Sequence, residues 1–116
     1  MPLGQPAKLL RIHCSGSDRY GGKPLYEAIV EQCRQHKIAG ATVFRGLEGF
    51  GETAEIHRAH LLARDQPIVV TIVDSAENLH GLIPAIEQMM DTGMIAMSDV
   101  MIRRIQNGAP DSTTAH

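Results

Sequence analysis

The chain has 116 residues, 43% of them hydrophobic and 21% charged, a globular composition that excludes wholesale disorder and has room for one core, not two. Aromatics are 3%, limited to Tyr20, Tyr26, Phe44 and Phe50, and the net charge is −2, so neither a base-stacking platform nor a basic face for nucleic acid is expected. Cys14 and Cys33 are too few for a disulfide framework, the start lacks a signal-peptide apolar region, and the longest apolar run, 68–73, falls far short of the roughly 20 residues of a membrane span; a reduced, cytoplasmic protein is expected.

Along residues 8–14, Leu10, Ile12 and Cys14 alternate with Leu9, Arg11 and His13, which predicts a strand. SGSDRYGGKP at 15–24 has the composition of a loop. Pro24 suits the first turn of a helix, and Leu25, Ala28, Ile29 and Cys33 continue as one apolar stripe, so a helix is expected over 24–37, broken near its end by Gly40. ATVFR at 41–45 is β-branched and aromatic and predicts a second strand. GLEGFG at 46–51 is read as no regular element, and the polar stretch 52–60 shows no decisive period.

Residues 61–74 predict a third strand around the apolar centre 68–73, with Pro67 marking an edge or a bulge. Ser75 is an N-cap candidate. Leu79, Leu82, Ile83, Ile86 and Met90 set a helix over 76–91, kinked by Pro84 and stopped by Gly93. VMIRRI at 100–105 predicts the last strand, and 106–116 has the character of a frayed tail.

The order β-α-β-β-α-β predicts an α+β, ferredoxin-like sandwich: a four-stranded antiparallel sheet with two helices on one face. The expected organisation is an N-terminal extension, 1–7, one domain, 8–105, and the tail, 106–116. Two helical stripes cover one face of a sheet. The segments 61–73 and 100–105 are apolar on both alternating faces, so a further copy of the chain is the simplest cover for the second.

Several residues carry candidate chemistry. The glycines of GLEGFG allow backbone N–H groups close to an anion, and Arg45 beside them is suited to bidentate phosphate contact. The run is no P-loop, because it lacks the Gly-Lys-Ser/Thr ending and opens no helix. Arg103 and Arg104, read as neighbours in the last strand, point to opposite faces: either one reaches an anion between subunits and the other is a solvated edge charge, or both are surface arginines. His57 and His60 would share a helical face, but no third metal ligand is placed, and no metal is expected. Cys33 and the methionines around the end of the second helix read as packing residues, and Ser15, Ser17 and Asp18 have no partner base for nucleophilic catalysis.

Four segments carry a family resemblance: DRYGGKPLYEA at 18–28, PLYEAIVEQCRQHKIAGATVFRGLEGFG at 24–51, QPIVVTIVDSAENL at 66–79 and MMDTGMIAMSDVMI at 89–102. Together they resemble the PII-like proteins of the domain-of-unknown-function 190 family, over roughly 8–105. The resemblance implies a homotrimeric signalling protein, not an enzyme. Its sheets would face one another around a threefold axis, and an adenine nucleotide, as effector rather than cofactor, would lie between subunits. It places that small anionic effector near Thr42, Arg45, Gly46, Gly49, Gly51 and Gly93, with Arg103 as a further anion ligand. It also implies a loop at 46–60, including Glu48, Phe50, Glu52 and His57, that presses on a partner such as a membrane channel or transporter. The chain departs from the nitrogen-regulatory PII proteins proper in two places. Residues 46–60 contain no Tyr for uridylylation, and the turn at 92–99 has one Gly and no Lys.

Two other readings compete. A small dimeric ferredoxin-like enzyme of the isomerase or monooxygenase type would use His13 or His36 as acid and base in a closed pocket. A metal- or stress-linked assembly module would use His57 and His60.

Overall fold

In the computed structural model, residues 4–47, 49–51, 54–57 and 66–108 are described. Strand β1, Gln5–Ser15, alternates as its sequence does: Leu10 and Ile12 are fully buried, while Arg11 between them is exposed. A small ribbon follows, β2 at Arg19–Tyr20 paired with β3 at Lys23–Pro24, where a loop is expected from composition. Gly21 and Gly22 have φ of +61° and +84° and turn this ribbon at a bend that L side chains rarely adopt.

Helix α1, Leu25–Gln35, buries Leu25, Ala28, Ile29 and Cys33. Its end differs from the expectation at 37 with Gly40 as breaker. Lys37 takes the left-handed conformation, φ 59°, and the Ile38 N–H reaches back 2.9 Å to the Cys33 carbonyl, closing a Schellman-type cap before Gly40. Strand β4 is Ala41–Arg45, as expected.

GFG is not irregular. Gly49–Gly51 forms β5, paired antiparallel with β6 at Ala54–His57, with a register shift between Gly49 and Gly51. Glycine tolerates such a bulge without strain, which composition alone did not reveal. His57 therefore closes a strand, and His60 lies outside the described residues, as do Glu48 and Glu52.

Strand β7, Pro67–Asp74, starts at the proline; the earlier part of the expected strand, 61–65, lies outside the described residues. As the first residue of an inner strand, Pro67 removes no ladder bond further along, and its carbonyl accepts 2.7 Å from the Gly46 N–H. Helix α2, Ala76–Glu87, is capped by Ser75, whose hydroxyl accepts 3.1 Å from the Asn78 N–H. The helix runs through Pro84 and ends one turn earlier than its apolar stripe suggests, with Met89 and Met90 in the turn that follows.

Strand β8 is Met94–Ile102, not 100–105. It begins where Met94 pairs with His13 and ends where Ile102 pairs with Gln5, so Arg103 and Arg104 follow the strand rather than alternate within it.

The main sheet has the order β4-β7-β1-β8, all pairs antiparallel, with both helices on one face: the ferredoxin-like fold. Its core joins Leu10, Ile12, Ile68, Val70 and Ile72 of the sheet to the buried stripes of α1 and α2, each fully buried aliphatic contributing about 1.5–3 kcal/mol. The other face carries Leu9, Val69, Val73 and Val100, all half-buried, together with Phe44 and Met94, which are 56% and 55% exposed. Its apolar character matches the two-faced pattern of the sequence.

Candidate effector site

The antiparallel register gathers several chain turns at one end of the sheet. Ser15 pairs with Pro67, and Arg45 pairs with Ile68, which in turn faces Cys14. Gly46 leaves β4 tightly against β7: a Cβ there would stand 2.8 Å from the Pro67 ring. Beside it, the Gly16 N–H donates 2.9 Å to the Gln66 carbonyl, and the Ser15 N–H donates 2.9 Å to Asp18. The Leu25 N–H donates 2.8 Å to the Asp18 carbonyl, so Asp18 ties the strand end to the start of α1.

Arg45 is held from the helix layer. Its guanidinium lies 5.6 Å from the centre of the Tyr26 ring, and Nη2 donates to the Tyr26 hydroxyl at 3.4 Å. The quadrupole of the ring favours the cation over its face. Sequence reading did not single out Tyr26. Its signal was its place at the start of α1, beside the buried stripe rather than in it.

Gly93 sits at the same end of the sheet on the opposite edge. Its φ is +130°, and a Cβ there would stand 2.5 Å from the His13 carbonyl oxygen and 2.5 Å from the Met90 methyl group. Around it Glu87, Met90, Asp91, Thr92, Met94 and Ile95 line a shallow cleft of about 190 Å³. Two carboxylates and no cation line this cleft, so alone it repels phosphate.

Arg45 on β4 and Gly93 beside β8 are separated by β7 and β1. At about 4.8 Å per strand spacing, the gap is roughly 14 Å. One chain therefore does not bring them onto one phosphate. Thr42 lies on the open face, whereas Arg45, three residues on, lies on the helix side. Arg103 follows the far end of β8, roughly 27 Å along the strand from Met94. Gly49 and Gly51 lie in β5.

The histidines of the rival readings stand on different elements, and His60 lies outside the described residues. His13 is on the open face beside Met94, while His36 caps α1, its ring nitrogen Nδ1 2.9 Å from the Gln32 carbonyl. Among the described residues, no group of three or more His, Cys, Asp and Glu is arranged to hold a metal ion. Burial pushes the Cys14 thiol up to about 12, with Asp18 adding to it. Burial likewise raises Cys33 to about 11, against a lowering backbone hydrogen bond. Neither is a thiolate nucleophile at neutral pH. Among the described residues, no helix is long and apolar enough to cross a membrane.

The family profile of the domain-of-unknown-function 190 family, DUF190, described as an uncharacterised ACR, matches residues 7–102, and the chain belongs to this family. A UPF0166 protein of Aquifex aeolicus is 36% identical over 97 residues, covering 82% of this chain and 91% of the relative. Among solved structures, CPII of Thiomonas intermedia K12 bound to ADP and bicarbonate has a TM-score of 0.67 at 20% identity, covering 85% of this chain and 90% of CPII. CPII is described as a nitrogen regulatory PII-like protein. The divalent ion tolerance protein CutA1 of Ehrlichia chaffeensis shares the fold more distantly, with a TM-score of 0.54 at 13% identity, covering 90% of this chain and 87% of CutA1.

Proposed function

We propose that the protein is a PII-like regulator, not an enzyme, that works in the cytoplasm as a homotrimer and binds an adenine nucleotide between subunits. The observation that carries this reading is the placement of Arg45 and Gly46 on one sheet edge and Gly93 on the other, at the same end. When the β4 edge of one copy meets the β8 edge of the next, the arginine and the close-approach glycines come together. A site split between edges is incomplete in one chain and complete in a ring.

Arg45 supplies a planar guanidinium, oriented by Tyr26, suited to phosphate oxygens. Gly46 and Gly93 let the two strand ends pack closely, Gly46 against Pro67 and Gly93 against the His13 carbonyl, which fixes the backbone on either side of the split site. Gly93 lines the acidic cleft with Glu87 and Asp91, so this side of the split site favours the nucleoside end and the phosphates belong on the Arg45 side. The fold is that of CPII, which has been solved with ADP and with AMP. The ribbon β5–β6 leaves the sheet directly after Arg45, so a ligand on Arg45 acts at the base of the segment 46–60 that would meet a partner such as a membrane channel or transporter. The ligand shifts that segment only as far as its affinity differs between the segment's states.

Calorimetry with ATP, ADP, AMP and cyclic AMP tests this. Binding of at least one of them, with one site per chain and loss in Arg45→Ala, is the expected result. Silence across the panel at millimolar ligand contradicts it.

A further inference from the structure

Among the described residues, the open face of the sheet has a cation at its centre and no acid on it. Arg11 lies midway along the inner strand β1, and register places it in the row Thr42–Thr71–Arg11–Ala96. The next row toward the candidate effector site is Phe44–Val69–His13–Met94, and the row beyond Arg11 on the other side holds Val73, Leu9 and Ser98. None of the positions on this face of the four strands is Asp or Glu. Arg11 is exposed in the single chain. Among the described residues, the one side-chain ion pair of β1 with another strand, Lys8 with Asp99, belongs to the helix-covered face.

Covering this face with copies of itself buries its apolar rows, but it also brings like charges together and strips them of water. A guanidinium has five donors and no acceptor, and an uncompensated buried charge costs several kcal/mol. The face itself offers no counter-charge. What the row of Arg11 offers is two hydroxyl residues, Thr71 opposite it on β7 and Thr42 one strand further on, both able to donate to an acceptor on this face.

We propose that the Arg11 side chains of the assembled copies converge on one small tetrahedral oxyanion, of the sulfate or phosphate class, held where the open sheet faces meet. This inference rests on the homotrimer reading. It adds an anion site separate from the nucleotide site at the strand edges and makes assembly dependent on that anion.

Nucleotide-free protein is examined by light scattering and by thermal melting at fixed chain concentration. Sodium sulfate is titrated from about 0.1 to about 10 mM against sodium chloride of matched ionic strength. For the native chain, sulfate is expected to raise the trimer fraction and the melting temperature along a saturating curve, unlike the gradual rise from excluded kosmotropic salt. Arg11→Met, of similar length and uncharged, is expected to be trimeric without sulfate and indifferent to it. Arg11→Lys, which keeps the charge but not the fork, is expected to need about tenfold more sulfate.

A native trimer with the same mass and melting curve in both salts overturns the anion site and leaves the homotrimer reading intact. So does a sulfate response that survives in Arg11→Met. A native chain that stays monomeric at every sulfate concentration overturns both.

Discussion

The turn between α2 and β8 rests directly on β1: a side chain on Gly93 would place its first carbon 2.5 Å from the His13 carbonyl oxygen. The Met90 methyl group, also 2.5 Å away, ends a flexible side chain and can move, but the carbonyl is fixed in the sheet. A φ of +130° adds backbone strain for any L residue. Gly93→Ala is therefore expected to lower stability by about 1–3 kcal/mol in urea unfolding. A midpoint equal to that of the native protein would show that the turn has room to relax.

Tyr26 orients Arg45 through its ring and its hydroxyl. Tyr26→Phe keeps the ring and removes a long, weak hydrogen bond, so nucleotide affinity should fall about twofold or less. Arg45→Ala removes the proposed phosphate ligand and should weaken binding about tenfold or more, equal to about 1.4 kcal/mol, with the unfolding midpoint little changed. Calorimetry on both variants checks the order. Equal losses would mean that the hydroxyl, not the guanidinium, meets the ligand.

The two thiols should be silent in the folded protein. Burial holds Cys14 near 12 and Cys33 near 11, so iodoacetamide at pH 7.5 should label neither until the chain unfolds. Because both folded values exceed the ordinary 9.0, this contribution to stability is complete below pH 9 and is lost as pH rises toward 11 and 12. Rapid labelling of Cys14 at neutral pH would contradict its burial.

Asp74 works in the opposite direction. Partial burial pushes its carboxyl up, but the N–H groups of Ser75 at 2.7 Å and Ala39 at 3.1 Å, the Asn78 amide at 2.8 Å and the charge of Arg104 outweigh it and leave the value below 3.8. With the folded value depressed, the stabilisation is present above pH 3.8 and disappears as pH falls through the folded value. Acid titration of unfolding should show a component, modest because the group is largely exposed, that Asp74→Asn lacks. An identical acid limb in the variant would remove Asp74 from the account.

The sequence made the sheet and its two faces legible, because period-two alternation survives in β1 and β7 and the stripes of α1 and α2 are nearly unbroken. Failures came where a local signal was overridden. Gly40 looked like the helix stop, but Lys37 accepts the left-handed turn because the Cys33 carbonyl is capped by Ile38. Met94–Ile102 pairs along nine residues of β1, although Ala96, Ser98 and Asp99 have little strand propensity; tertiary pairing with β1 outweighs it.

The candidate site was legible residue by residue but not as a geometry. Arg45, Gly46 and Gly93 stand at one end of the sheet, whereas Arg103 stands at the other and Thr42 lies on the far face from Arg45. Spacing along a chain carries no information about which sheet edge a residue reaches, so Tyr26 as the support of Arg45 was invisible until α1 was placed against β4.

The most direct test of the account is the mass of the protein in solution by light scattering, in sulfate buffer with ADP present. A mass three times that of one chain is the predicted result, since a closed ring of three brings the β4 edge of each copy to the β8 edge of the next. A single-chain mass at concentrations where ADP binds would contradict it.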